Sequence, residues 1–526
     1  MRTSITGYIC LLVLFAISVF VRTPHINRPL STNYEWVTAH TLVTLQIWHE
    51  EGIVTHGFRP IYTFPNPNDH YIKCPISGVS DASGNYYYVS YPPFAFILPH
   101  LVFETFGIYP NVLSLEIFNL FLHFLCALLI FLLLSNLTKP PESKGLNMPA
   151  LVGASIYIFA PLALWHHANV YFSDILVQLF FILGIYFSHL YLFKDGHKSK
   201  GISAGLFITI FLMVYTEWIG ILFGCSLIAL SFLYRKQEMF SMRLLLIASS
   251  AMFLAGCLML FQYSSINGLE DFIQTALNRY TERSGHTGKE QFYELNTHLY
   301  LGNVYLRNYF PQFVIVAFLG LLLLILKSNI RALFKSEQQV ILLLAVLPTV
   351  LHHTVLFEFP IVHDMALVKT AIFLSLLTGI LFHGINKVTH DQPGLAFKVV
   401  PHFVVVSMLG LSAFLYHAHV IEPEGFSFEE LGNEIREESK PEDTVFFKTS
   451  RTLGDFLIKA PENFVIAPQI QYYSGRCIQV VPSLEAAREH LEKYDKAQGV
   501  VFTIENSRYQ IEHTERISIA DSLQLD

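Results

Sequence analysis

The chain has 526 residues, 52% of them hydrophobic and only 14% charged, with a formal net charge of −7. A soluble protein carries about 25% charged residues, so this composition, with its 45 Phe and 26 Tyr, excludes an ordinary soluble enzyme and points to an all-α polytopic membrane protein. There is no basic run of the kind that binds nucleic acid.

The first apolar run, 5–21, lies between Arg2 and Arg22, and no small-residue cleavage site follows it. It reads as a retained span and not as a signal peptide. Residues 22–112 then form a long polar loop rich in aromatic, acidic and turn-forming residues. It contains Asn33-Tyr34-Glu35-Trp36 and reaches Tyr91-Pro92-Pro93, before a short apolar run at 94–106. Further runs follow at 113–135, 148–164, 172–193, 202–216, 218–234, 244–263, 311–327, 337–357, 363–384 and 399–420. A span needs about 20 apolar residues. With 94–106 as an interfacial helix, about eleven transmembrane helices result.

Short connections carrying Lys139 and Lys144, Lys194 to Lys200, Arg235 to Arg243, Lys327 to Lys335, and Lys387 to Lys398 are basic, whereas 165–171 and 358–362 hold no Lys or Arg. The positive-inside rule places the basic group in the cytoplasm. The N-terminus is then cytoplasmic, and 22–112, a second large loop at 264–310 and the tail from 421 are extracytoplasmic. The expected localisation is the inner (plasma) membrane. The tail is richer in charge, and β-branched or aromatic runs at 444–448, 464–467, 478–481 and 499–504 alternate with a helical pattern at 483–494. It reads as a small α/β domain over 421–526 beside a transmembrane module over 1–420. The six cysteines show no metal-ligand spacing and read as buried unpaired thiols.

This topology brings acids and histidines from distant positions to one membrane face. They are Glu35, then His166, His167 and Asp174, then Glu217, then Glu358, His363 and Asp364. Ionisable groups at the edges of spans are costly unless paired or facing water, so each is a functional candidate. The bland alternatives are a solvated loop acid for Glu35, a helix-end pair for Asp174, a polar turn for Glu217, a helix cap for His363-Asp364 and an interfacial aromatic belt for Tyr86 to Tyr91.

Three features together resemble the GT-C glycosyltransferases, polytopic enzymes that include protein O-mannosyltransferases and aminoarabinose transferases and use sugars linked to polyprenyl phosphate. Tyr91-Pro92-Pro93-Phe94, with an apolar stretch ending Phe106-Gly107, is similar to a Pro-Pro element of the family. Phe159-Ala160-Pro161-Leu162 through Ser173-Asp174 is similar to its Pro…Ser-Asp element. Glu35 sits where the first-loop acid of the family belongs, although its neighbours are Asn33 and Tyr34 and not a second acid. His363-Asp364 resembles a late His-Asp of some bacterial members, and Tyr472-Tyr473-Ser474-Gly475-Arg476 resembles their extracytoplasmic domain.

The resemblance implies sugar transfer from a polyprenyl-phosphate donor to a hydroxyl of a lipid, glycan or protein acceptor. That chemistry needs a carboxylate to take the acceptor proton and cations for the departing phosphate. Glu35 is the expected base, and Asp174 the second catalytic acid, which positions the acceptor, tunes Glu35 or binds a divalent metal. A zinc site from His166, His167 and Asp174 would be a poor chelate. Arg59, Arg279, Arg283 and Arg307 are candidates for the phosphate, and Tyr91, His166, His167, Glu217, His363 and Asp364 for substrate contacts. Membrane lipids are the remaining expected partners. The competing functions are a lipid-linked glycan polymerase or ligase, a transporter or flippase of lipid-linked sugars, and a receptor.

Overall fold

The computed structural model describes residues 5–519 except 32, 73–77, 139–145, 195–198, 236–238, 240, 286–293, 327–333, 390–394, 420–426, 450–466 and 505–510. Eight helices among these residues are long and apolar enough to cross a membrane: Ile5–His25, Val112–Leu137, Ser173–Phe193, Met242–Asn267, Leu295–Ile325, Ser336–Val355, Asp364–Thr389 and Val399–Ala418. Three further expected spans are shorter apolar helices, Met148–Ile158, Lys200–Val214 and Ile219–Leu233, as is Phe94–Phe106. The shortening has a local cause at Pro161. A proline disfavours helix in the residue before it and has no N–H for the ladder. The run expected at 148–164 therefore breaks after Ile158 and restarts as Pro161–His166, with Pro161 in the first turn.

The chain divides into two compact units. One comprises Met1–Ile26, Glu116–Leu258 and Arg279–Val420. Lipid tails are as apolar as leucine, so close backbone approach, more than hydrophobicity, holds helices together there. Helices Met148–Ile158 and Thr370–Thr389 meet in this way. A methyl group on Gly153 would lie 2.2 Å from Leu134 Cδ1 and 2.8 Å from the Ser375 carbonyl oxygen, and one on Gly379 would lie 3.0 Å from the Pro149 carbonyl oxygen. Val152, Ile156, Ile315, Leu319, Leu381 and Phe382 extend this core. The helix Leu295–Ile325 kinks at Tyr309, two residues before Pro311. The Tyr309 hydroxyl donates to the Leu367 carbonyl at 2.7 Å.

The other unit comprises Asn27–Leu115, Met259–Asn278 and Ile421–Asp526. Its first segment carries the helix Trp36–Glu51 and a small antiparallel pair, Gly78–Ser80 with Tyr86–Tyr88. Tyr87 and Tyr88 are each 3% exposed. They point to opposite faces of the strand and both are buried, so they pack within this unit and do not form the interfacial belt. The tail holds a four-stranded sheet in the order Ile478–Val481, Thr444–Thr449, Gln498–Ile504, Ile511–Ser518, parallel except for the last pair. Side chains alternate across a strand. Val445, Phe447, Val500 and Phe502 therefore pack on Phe428, Leu431, Ile435 and Ile470 of helices Phe428–Glu438 and Pro468–Ser474. Phe446 and Val501 pack on Ala487 and Leu491 of helix Leu484–Lys493. The run expected at 464–467 lies outside the described residues except Ala467.

Buried ions tie this unit together. Arg476 Nε donates to Asp69 Oδ1 at 3.1 Å and Nη1 to the Lys440 carbonyl at 2.9 Å, and Nη2 donates to the Asp443 carbonyl. Burial pushes the Asp69 carboxyl up to about 6, against the pull of Arg476. Cys10, Cys126, Cys225, Cys257 and Cys477 are free thiols; Cys225 and Cys257 are exposed and not buried as expected, and Cys74 lies outside the described residues.

Candidate active site

In the first unit the loop after Pro161–His166 is pinned by Asn119, whose Nδ2 donates to the His166 carbonyl at 2.7 Å and the Val170 carbonyl at 3.0 Å. Phe172 is extended, and Ser173 starts the next helix. This puts Asp174 in the first turn, where backbone N–H groups favour an anion. Glu217 lies in the turn between Lys200–Val214 and Ile219–Leu233, and its Oε2 accepts from the Ile219 N–H at 3.3 Å.

Both carboxylates converge on a residue that sequence reasoning missed. Lys369 Nζ is 2.5 Å from Asp174 Oδ1 and 3.6 Å from Glu217 Oε2. His352 Nε2 is 2.8 Å from Glu217 Oε1. All four side chains are fully buried. Breaking a buried pair by removing one partner leaves an uncompensated charge, so the ammonium between two carboxylates is what makes their burial tenable. The signal was available: Lys369 is a lone cation in an apolar run, and such residues in spans are functional candidates. His352 gave a weaker signal, since one of two adjacent histidines at a helix end is easily taken for a surface group.

The histidines point in separate directions. His166 Nε2 lies 3.1 Å from Asp364 Oδ1, and His167 Nε2 lies 2.9 Å from the Tyr157 hydroxyl, which donates to Gln178 Oε1 at 2.9 Å. The His167 ring stacks on His123, whose Nδ1 accepts from Arg22 Nη2 at 2.7 Å. His166, His167 and Asp174 thus serve three different partners. Among the described residues no three His, Cys, Asp or Glu side chains converge as a metal would need. The cationic position beside Asp174 and Glu217 is filled by Lys369, so within this unit the arrangement suits a protein cation and not a metal.

Just beyond the C-terminal end of the helix Ser336–Val355, the same end that carries His352, the Arg283 guanidinium lies over the Phe359 ring at 5.3 Å, and the Arg283 carbonyl accepts from the Glu358 N–H at 3.1 Å. His363 feels the charges of Arg283 and Arg279, and Arg279 donates to Glu282 at 2.7 Å. Arg307 is exposed on the helix Leu295–Ile325.

The second unit holds Glu35, Arg59 and Tyr91. Glu35 precedes the first turn of Trp36–Glu51. Its Oε2 accepts from Arg28 Nη2 at 2.9 Å and from the Ser31 N–H at 2.6 Å, and also from the Ser31 hydroxyl. The residue is 1% exposed. Burial raises its proton affinity above the ordinary carboxylate range, while Arg28 and the Ser31 donors pull the other way. Tyr34, immediately before it, has φ of +62°, a left-handed conformation that side chains rarely adopt. Such strain persists where the surroundings impose it, often at functional sites. Arg59 is tied up locally: Nε donates to the His56 carbonyl at 2.7 Å, Nη1 donates to Ser265 at 3.1 Å, and the guanidinium covers the Tyr87 ring at 4.8 Å. The Tyr91 carbonyl accepts from the Tyr263 hydroxyl at 2.6 Å. Sequence reasoning missed Arg28 and Ser31, which lie within seven residues of Glu35.

No family model matches the chain, and no curated protein matches it. Solved structures do. The oligosaccharyltransferase AglB from Archaeoglobus fulgidus, in complex with an inhibitory peptide and a dolichol-phosphate, is 13% identical, covering 95% of this chain and 69% of that one, with a TM-score of 0.56. ArnT from Cupriavidus metallidurans bound to undecaprenyl phosphate is 12% identical, covering 95% and 94%, with a TM-score of 0.58. The Archaeoglobus oligosaccharyltransferase in complex with Zn and sulfate is 12% identical, covering 94% and 68%, with a TM-score of 0.54. These neighbours are GT-C fold glycosyltransferases. The chain is a multi-pass membrane protein with the GT-C fold and a small α/β region near its C-terminus.

Proposed function

We propose that the protein is an integral-membrane glycosyltransferase that moves a sugar from a polyprenyl-phosphate donor to an acceptor hydroxyl on the extracytoplasmic face, with Glu35 as general base. The observation that carries this reading is the Glu35 carboxylate, buried beside a left-handed residue and held by Arg28 and Ser31 through one oxygen. A base works best when its proton affinity lies near the working pH, and burial moves Glu35 in that direction. In the reaction Glu35 takes the acceptor hydroxyl proton as the acceptor oxygen bonds to the anomeric carbon. The bond from that carbon to the phosphate oxygen breaks, and its electron pair leaves with the lipid phosphate, which needs no acid to depart.

Asp174, Lys369, Glu217 and His352 form a buried charged cluster within the first unit, in which Asp174 is paired with Lys369 and is not a free base in this reading. Arg279, Arg283 and Arg307 are the candidate cations for a lipid phosphate in this reading. The lipid phosphates bound by AglB and ArnT support the donor class.

The test is transfer in reconstituted vesicles supplied with a panel of radiolabelled polyprenyl-phosphate sugars. Glu35→Gln, at equal expression and unchanged heat stability, is expected to lower transfer by about 100-fold or more, the general-base contribution being about 10²–10⁴. Full transfer by that variant overturns the assignment. Donor flipping without consumption moves the protein to the transporter class.

A further inference from the structure

The second unit joins two stretches of chain that are more than 400 residues apart around the turn before Glu35. Gln469 Nε2 donates to the Ser31 carbonyl at 2.9 Å across 438 positions. The Leu30 N–H donates to the Tyr473 hydroxyl at 2.9 Å across 443 positions. Leu30, Ser31 and Gln469 are each 2% exposed. Both tail side chains sit on the helix Pro468–Ser474, whose Ile470 is embedded in the tail core with Phe428, Leu431 and Ile435. A rigid anchor thus reaches the backbone that presents the Ser31 N–H and hydroxyl to Glu35.

We propose that the C-terminal α/β domain is a positioning element for Glu35, acting through Gln469 and Tyr473 on the Leu30-Ser31 backbone. This rests on the reading of Glu35 as the base. Neither tail residue touches the carboxylate. They fix the peptide whose two donors do, and so hold one Glu35 oxygen in place. Among the described residues of this unit, the charged or titratable groups that bear on Glu35 are Arg28, from the same turn, and Tyr473, from the tail. Releasing the turn withdraws the Ser31 donors, which favour the ionised carboxylate. Glu35 then binds its proton more tightly and lies less well aimed.

The test compares Tyr473→Phe and Gln469→Leu in the full-length protein. Arg516→Gln is the control, since it cuts a tail ion pair to Asp443 (2.5 Å) away from the turn. Two readouts are taken. One is the pH profile of kcat and KM for transfer. The other is the pH midpoint of dicyclohexylcarbodiimide labelling at Glu35, which needs a protonated buried carboxyl but no donor or acceptor.

Both tail variants are expected to lower kcat by about 10- to 100-fold with KM little changed. The acid limb and the labelling midpoint both move to higher pH. A labelling shift with transfer intact upholds the positioning role and removes Glu35 as base. Unmoved labelling overturns the positioning role, whatever transfer does. An equal labelling shift in Arg516→Gln also overturns it, because general loosening of the tail would then suffice.

Discussion

Replacing Lys369 with Met removes the cation that lies between Asp174 and Glu217 and leaves two buried carboxylates without it. Attraction falls with distance, so the contact at 2.5 Å to Asp174 is about 1.4 times as strong as that at 3.6 Å to Glu217. Glu217 also keeps His352 at 2.8 Å and the Ile219 N–H. Asp174 therefore loses more. Removing one partner of a buried pair costs about 3–5 kcal/mol, and the expected destabilisation lies at the upper end of that range because two charges are stranded. The measurement is the fraction of monodisperse protein left after a heating series in detergent. Lys369→Met is expected to melt far below wild type. Adding Asp174→Asn should recover more of the loss than adding Glu217→Gln, and the triple variant should approach wild type. Wild-type melting by Lys369→Met, or costs that simply add in the double variants, would refute the coupling.

Three further outcomes follow from the geometry. Arg28→Gln removes a cation that favours ionised Glu35, so the acid limb of the transfer rate should move to higher pH; an unmoved limb would mean the pair does not act on the base. Asp69 has its folded-state value raised above the unfolded 3.8 to about 6. Its contribution to stability is therefore full below 3.8 and lost as pH rises through about 6. Asp69→Asn should flatten the dependence of melting temperature on pH across that window, and an unchanged slope would contradict the burial argument. Gly153→Ala drives a methyl group into Leu134 and the Ser375 carbonyl, which should cost about 1–3 kcal/mol in the same heating assay, more than Gly256→Ala, where nothing lies within 4 Å.

The elements themselves were legible because they depend on local chemistry. Each of the eleven apolar runs coincides with a helix, although the run at 148–164, expected to be continuous, is interrupted before Pro161. The tail strands at 444, 478 and 499 were equally plain, since β-branched residues between turns need no distant partner to be recognised. What stayed hidden was pairing. Asp174, Glu217 and Lys369 meet only in three dimensions, and no spacing rule connects 174 to 369. Carboxylates suggest catalysis by themselves, whereas the lysine that neutralises them lies within an apolar run and reads as part of a span. The helix Pro468–Ser474 was seen only as family likeness, since nothing in Gln469 or Tyr473 reveals that they reach Leu30 and Ser31.

The unit that contains Glu35 is assembled from three separated lengths of chain, the last beginning at Ile421. During synthesis Ser31 emerges 438 residues before Gln469, and at about 5–20 residues per second the wait is about 20–90 s. Throughout that interval the early loop lacks the contacts that Gln469 and Tyr473 make with it. A ribosome that stalls or a transcript cut short anywhere before residue 469 leaves that loop unbraced. The contacts that Gln469 and Tyr473 make with Leu30 and Ser31 thus form only once nearly nine-tenths of the polypeptide has been made, a delay written into chain connectivity.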